Sequence, residues 1–194
     1  MVARLRRKAV FLDRDGTLIR EVNYLCRVEQ IEILPGVAEA LRRLRSAGFS
    51  LVMITNQSAV ARGYLSENSL REIHQVIEAR LANEGASLDA IYYCPHHPTA
   101  GIGALCIDCE CRKPKTGMID RAVAEWGLDP TLSVVVGDQL SDMELASAVG
   151  ARGILLDSTG KLSNRALQSF SVADNLGEAA RCIIANSSKG ARLQ

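Results

Sequence analysis

Two carboxylates separated by one residue, Asp13 and Asp15, end the apolar run Ala9-Val10-Phe11-Leu12. Four apolar residues are too few for a helix, so the run reads as a buried strand that stops at an acidic turn. In an open parallel sheet ligands bind outside the carboxyl ends of the strands, which puts both carboxylates at the rim of a site. Strand alternation sets the two side chains on one side, and Gly16 permits a sharp exit. One Asp can then attack while the other handles a proton. Taken alone, Asp13-Arg14-Asp15-Gly16 is equally a solvated turn. Later stretches separate the two readings, because Thr55-Asn56, Lys113, and Gly137-Asp138 with Asp142 supply what an aspartyl nucleophile needs. A carboxylate that attacks an anionic centre would need a cation between the two charges, and Mg²⁺ with oxygen ligands would serve. Asp13 and Asp138 are the natural carboxylates for it, while Thr55, Asn56 and Lys113 provide donors and positive charge.

A second constellation is soft. Of six cysteines, Cys94, Cys106, Cys109 and Cys111 crowd into one segment with His96 and His97. That clustering favours metal over disulfides, and the paired ligands are spaced to close a loop round Zn²⁺. Four protein ligands would leave no open position, so such a zinc is structural. Spacing leaves the choice of ligands open, since Cys106-x-x-Cys109 is also a good zinc pair. Cys26 and Cys182, far from the cluster, read as small, partly buried hydrophobes.

The elements that must position these residues alternate. After the first strand, 18–34 has no sustained period and reads as a loop or short flap. Helical spacing follows over 37–47, with Gly48 placed to end it, and 49–54 is a continuous apolar strand pointing Thr55 at the same rim. Over 66–84, Leu70, Ile73, Val76, Ile77 and Leu81 form a helical face with Ser66 as N-cap, and His74 reads as exposed off that stripe. A strand at 90–93, a helix at 117–126 with Trp126 in the core, and a strand at 132–136 come next. Ser141-Asp142-Met143-Glu144 reads as a capping box, followed by a strand at 153–156. An edge strand over 170–173 and a closing helix over 176–185 complete the pattern, and the tail 186–194 is expected to be disordered. Such alternation implies an α/β fold: a parallel sheet with helices on both faces, as one domain over 1–194 with its core about 9–185. No large cap domain is inserted.

Asp13 to Thr17 also meets the pattern Asp-x-Asp-Gly-Thr, and with Thr55, Lys113 and Asp138 the stretch 9–157 resembles the haloacid dehalogenase (HAD) superfamily of phosphohydrolases. That resemblance implies a three-layer, Rossmann-like fold. It implies Asp13 as nucleophile, giving an aspartyl-phosphate, and Asp15 as the acid that protonates the leaving oxygen and then activates water. The backbone carbonyl of Asp15 joins Asp13 and Asp138 as a Mg²⁺ ligand, and Thr55 and Lys113 assist catalysis. Asp142 would orient the metal shell or the lysine, or it is simply a charge suited to a helix N-terminus.

Ile54-Thr55-Asn56-Gln57-Ser58-x-x-Ala61-Arg62-Gly63, Tyr92-Tyr93-Cys94-Pro95-His96-His97-Pro98 and Cys109-x-Cys111-Arg112-Lys113-Pro114 resemble a narrower family, the D-glycero-D-manno-heptose 1,7-bisphosphate phosphatases. It implies zinc on Cys94, His96, Cys109 and Cys111, within a loop 94–111. It implies that Glu21, Val22, Asn23 and Tyr24 border the sugar, with Asn56, Gln57 and Ser58 on the substrate side and Arg112 on the distal phosphate. Val22-Asn23 stands where the family usually has His-Gly, and Gln139 where some members have Lys. The expected activity is Mg-dependent removal of the 7-phosphate in activated heptose biosynthesis, with the anomer left open. Histidinol-phosphate phosphatases share the acidic motif and zinc loop, and they or another small phosphomonoester phosphatase are the alternative. A phosphoryl-accepting receiver module ranks lower, because Asp15 serves turnover rather than a slow-decaying phosphate.

Composition excludes other classes. In 194 residues, 23 Lys plus Arg against 22 Asp plus Glu give a net charge of +1, which argues against bulk nucleic-acid or acidic-membrane binding. The basic start, with Arg4, Arg6, Arg7 and Lys8, reads as a solvated lead-in. No apolar run approaches the roughly 20 residues of a membrane span, and no signal-peptide core follows the start. A cytoplasmic monomer acting on a small sugar phosphate is the expectation.

Overall fold

A computed structural model describes residues 6–157 and 170–190, with side chains to 187. Six parallel strands form one sheet in the order β3-β2-β1-β4-β5-β6. They are β1 (Ala9–Leu12), β2 (Ser50–Asn56), β3 (Ala90–Cys94), β4 (Val134–Gly137), β5 (Arg152–Leu156) and β6 (Ser171–Ala173). The helices are α1 (Val37–Ser46), α2 (Ser58–Ala61), α3 (Glu67–Asn83), α4 (Gly117–Trp126), α5 (Leu140–Ala148) and α6 (Leu176–Gly190). The chain winds outward from β1 to β3 and then returns to pair β4 with β1. The winding therefore reverses between β1 and β4, and their carboxyl ends flank the switch point where such sheets bind ligands.

Both faces of the sheet are covered, which is why the central strands read as continuous apolar runs. Val10, Leu12, Leu51, Met53, Val134 and Val136 meet Leu41, Leu44, Leu70, Ile73, Ala180 and Ile183 of α1, α3 and α6. Ala9, Phe11, Val52, Ile54 and Val135 turn the other way, onto Met118, Ile119 and Ala122 of α4 and Leu145 of α5. Ser66 caps α3, its hydroxyl accepting from Ser69 N at 3.0 Å. Among the described residues no helix is long and apolar enough to cross a membrane.

Several local expectations are corrected. His74 is buried on α3, four residues after Leu70 and so on the apolar stripe rather than off it. The capping box of α5 pairs Gln139 with Asp142, two residues earlier than Ser141 with Glu144. Helix α6 runs on to Gly190, past the expected end at 185, so 186–190 is helical; 191–194 lies outside the described residues. Cys182 is exposed on that helix, whereas Cys26 is half-buried as expected. The described part of the basic start is a solvated lead-in, as expected, with Arg6 and Arg7 exposed while Arg6 pairs with Asp129 at 3.0 Å and Arg7 donates to Ser50 Oγ at 3.2 Å. Arg4 lies outside the described residues.

No large cap is present among the described residues. The segment 18–34 folds back on the sheet, with Leu34 N donating to Leu18 O at 3.0 Å and Arg20 N to Glu32 O at 2.8 Å. Its buried Leu18, Ile19, Leu25 and Ile31 anchor it on the core, leaving Glu21 to Tyr24 over the strand ends.

Candidate active site

The site begins where β1 ends. Asp13 N still donates to Val136 O of β4 at 3.0 Å, so the nucleophile candidate continues the sheet register. The chain then turns tightly, with the Arg14 carbonyl accepting from Leu18 N and Ile19 N at 2.9 and 3.0 Å. Gly16 sits at φ +72°, and a β-carbon there would run into the Asp138 carboxylate. Glycine is therefore required twice over, by conformation and by the approach of β1's turn to the end of β4. At Gly137 a β-carbon would strike Asp142 in the same way.

Lys113 is fully buried and joins the carboxylates. Its Nζ lies 2.8 Å from Asp13 Oδ1 and 2.7 Å from Asp142 Oδ1, and it donates to Ile54 O at 3.1 Å. Burial opposes the ammonium, but Asp13 and Asp142 outweigh it and hold the Lys113 pKa above its ordinary value. Asp142 contacts the lysine and also sits at a helix N-terminus, where its other oxygen accepts from Gln139 N at 3.2 Å and caps α5. Asn56, expected to face substrate, lines the cleft and also clamps Lys113. Its Oδ1 accepts from Lys113 N at 3.0 Å and its Nδ2 donates to Lys113 O at 3.1 Å.

Asp15 is held from two sides. Arg14, only 1% exposed, donates to it from Nε and Nη2 at 3.0–3.2 Å, and Gln57 Nε2 donates to Oδ2 at 2.9 Å. Gln57 also donates to Thr55 Oγ1 at 2.8 Å, which leaves the Thr55 hydroxyl hydrogen for a ligand. The sequence alone assigns no role at the site to Arg14, and its neighbour His74, 3.4 Å from Nη1, reads there as exposed. A lone Arg between two acids gives no signal of burial. The signal for His74 was its i+4 spacing from Leu70.

The residues expected at the site share one cleft of about 370 Å³. It is lined by Asp13, Asp15, Thr55, Lys113 and Asp138, by Glu21, Val22, Asn23 and Tyr24, and by Asn56, Gln57, Ser58 and Arg112. Tyr24 adopts φ +57°, uncommon for a residue with a side chain, at the edge of the cleft. Burial, then the charges of Asp15 and Asp138, push Glu21 up to about 7.

The carboxylates fit a cation. One ligand atom each from Asp13, Asp138 and Asp142 lies within 4.8 Å of the others, and Lys113 pairs with Asp13 and Asp142 but not with Asp138. Burial and the Asp13 charge push Asp138 up to about 6, and its Oδ1 is buried without a hydrogen-bond partner. The bonds to Arg14 N (2.7 Å) and Lys113 both fall on Asp13 Oδ1, and among the described residues Oδ2 has no hydrogen-bond partner. Hard oxygens short of positive charge are what Mg²⁺ takes.

The soft cluster, which ends one residue before Arg112, is assembled from the end of β3 and the loop before α4. Cys94 Sγ to Cys109 Sγ is 3.4 Å, Cys109 Sγ to Cys111 Sγ 3.3 Å, His96 Nδ1 to Cys111 Sγ 3.3 Å and Cys94 Sγ to His96 Nδ1 3.8 Å. A tetrahedral zinc with three sulfurs and one nitrogen has ligand edges of about 3.6–3.8 Å, so the four donors fit. Cys106 is exposed, facing Pro98 O at 3.7 Å, and stands outside the group. Arg112, next to Cys111, donates to His96 O at 3.1 Å, so the loop aims it into the cleft.

The chain is similar to known proteins in sequence and in fold. A family model described as HAD-hydrolase-like matches residues 110–179. The D-glycero-beta-D-manno-heptose-1,7-bisphosphate 7-phosphatase of Pasteurella multocida is 44% identical over 155 residues, 80% of this chain and 84% of that protein. Its namesake from Haemophilus influenzae is 43% identical over 154 residues, 79% and 83% of the two chains. A crystal structure of D,D-heptose 1,7-bisphosphate phosphatase from B. bronchiseptica, complexed with magnesium and phosphate, superposes with a TM-score of 0.78. It is 29% identical and covers 92% of this chain and 99% of that one.

Proposed function

Because the chain belongs to the D-glycero-β-D-manno-heptose-1,7-bisphosphate 7-phosphatase family of HAD-like phosphohydrolases, we propose that it removes the 7-phosphate of that sugar bisphosphate. The observation that carries the reading is the buried Lys113 ammonium bridging Asp13 and Asp142, with Asp15 clamped two residues beyond the nucleophile. Asp13 attacks phosphorus and forms an aspartyl-phosphate, while Asp15 gives its proton to the departing sugar oxygen. Asp15 then takes a proton from the water that hydrolyses the intermediate. Lys113 and the Thr55 hydroxyl stabilise the charge that develops on the transferred group. Asp13, Asp138 and the Asp15 carbonyl would hold Mg²⁺, which when bound offsets the repulsion between phosphate and the attacking carboxylate. Cys94, His96, Cys109 and Cys111 would hold Zn²⁺ in a closed, structural site. Arg112 receives the 1-phosphate, and Glu21 to Tyr24 face the sugar.

The β anomer is favoured here by the names of the relatives, and the alternative, histidinol phosphate, by the shared acidic motif and zinc loop. Mg-dependent phosphate release is the test, run on both anomers of the heptose bisphosphate, on sugar monophosphates and on histidinol phosphate. The β-bisphosphate is expected to have the highest kcat/KM and to leave the 1-phosphate intact. A preference for histidinol phosphate would replace this substrate. Asp13→Asn should abolish turnover while leaving the fold intact by circular dichroism, and retained turnover would reassign the nucleophile.

A further inference from the structure

His74 lies outside the set of groups that touch substrate, yet it is placed against the one that clamps Asp15. It is 5% exposed, comes from α3, is not among the residues lining the cleft, and has its ring centroid 5.7 Å from that of Tyr93. Arg14 uses Nε and Nη2 on Asp15 and turns Nη1 to His74 Nε2 at 3.4 Å. A guanidinium can only donate, so Nε2 accepts and the imidazole proton sits on Nδ1. Burial, then the Arg14 charge, push His74 down to about 3, so the ring is neutral and keeps that lone pair at physiological pH.

We propose that His74 is a positioning residue for Asp15, its Nε2 fixing the plane of the Arg14 guanidinium that in turn fixes the carboxylate. Arg14 has two planar edges and five N–H groups to satisfy in a buried position. With His74 in place, the Nη1 side is occupied and the Nε–Nη2 edge faces Asp15. Without an acceptor, Nη1 is left buried and unpaired, and rotating the guanidinium to find a partner breaks the pairing with Asp15. Gln57 would then hold Asp15 from one side only. The inference rests on Asp15 acting as the acid toward the leaving oxygen.

The test uses leaving groups. The sugar alkoxide needs a proton to depart and p-nitrophenolate does not, and kcat/KM reports steps only through the first irreversible one. His74→Phe keeps the ring's bulk without its acceptor, whereas His74→Gln supplies a carbonyl oxygen in its place. His74→Phe should lower kcat/KM for the heptose bisphosphate by about 10- to 100-fold and for p-nitrophenyl phosphate by less than about threefold, the size of a partly lost general acid. His74→Gln should recover most of the loss. Equal losses on both substrates, no loss, or a Gln variant as impaired as Phe would overturn the inference. Asp15→Asn, run alongside, separates the two claims. If it lacks the leaving-group bias, the role of Asp15 fails; if it has the bias and His74→Phe does not, only the role of His74 fails. Should His74→Phe not fold, ¹⁵N NMR of the wild-type imidazole decides, since an Nε2–H tautomer is incompatible with accepting from Arg14.

Discussion

Arg112 and Lys113 are neighbours in the chain and take opposite environments. Lys113 is 4% exposed and spends its charge on Asp13 and Asp142, whereas Arg112 lines the cleft and is steadied by the His96 carbonyl. A charge beside the nucleophile acts on the transferred group, and a guanidinium at the rim suits bidentate recognition of the phosphate that stays. Lys113→Ala should therefore mainly lower kcat, while Arg112→Ala should mainly raise KM and narrow the preference for bisphosphate over monophosphate. One lost charge-assisted contact is worth about 1.5–3 kcal/mol, so the Arg112 effect should be roughly tenfold or more in kcat/KM. Steady-state kinetics on both substrate classes checks it, and unchanged discrimination in Arg112→Ala would put the distal phosphate elsewhere. At this scale the charged residues were legible, because strand ends followed by acids, Thr and Lys form a recognisable order. The clamp by Asn56 and the contact of His74 with Arg14 were not. Each takes its meaning from a partner 57 or 60 residues away, and periodicity carries no information about such pairs.

The loop between β3 and α4 shows why elements differ in legibility. Continuous apolar runs bounded by Gly and polar residues marked β1, β2 and β4, and helical spacing marked α1, α3 and α4. The four-residue helix α2 was invisible, since one turn is too short for a hydrophobic period. The start of α5 was misplaced because Asp142 caps from N3, with Gln139 in the role usually given to Ser or Thr. The soft-ligand loop has no period at all, and its shape depends on the four donors that gather at its base. Burial and the neighbouring Cys111 push the Cys94 thiol far above its ordinary value, a penalty that metal binding reverses by stabilising thiolate. Purified protein is expected to hold one zinc per chain by metal analysis, retained in Cys106→Ser and lost in Cys94→Ser. Loss of zinc should free the backbone that aims Arg112, raising KM for the bisphosphate more than for p-nitrophenyl phosphate. Zinc lost from Cys106→Ser and kept by Cys94→Ser would overturn the ligand set.

For the whole molecule, a net charge of +1 conceals a concentrated deficit at the switch point of the sheet. Asp13, Asp138 and Asp142 converge there, with Lys113 paired to the first and the last, and the fold holds them together with glycines at 16 and 137 that let the carboxylates approach. Without a cation, ionised Asp138 opposes folding. Its folded pKa of about 6 exceeds the ordinary 3.8, so the folded state binds the extra proton between those values. The resulting stability is present in full below about 3.8 and is lost as pH rises through about 6. Two pKa units correspond to at most about 3 kcal/mol, reduced by solvent at this partly exposed carboxylate. Asp138→Asn removes that dependence. In buffer without added Mg²⁺ the variant should melt above the wild type at pH 7.5, with the advantage fading toward pH 4. Adding Mg²⁺ at about 100 times its Kd should raise wild-type stability by about 2.7 kcal/mol, roughly 5–10 °C in Tm for a chain of this size, and should leave the variant nearly unmoved. Thermal melts across pH, with and without Mg²⁺, read both effects. Equal Mg²⁺ shifts in the two proteins would mean that the ion is held without Asp138, and that the acidic junction between β1 and β4 owes its geometry to Lys113 alone.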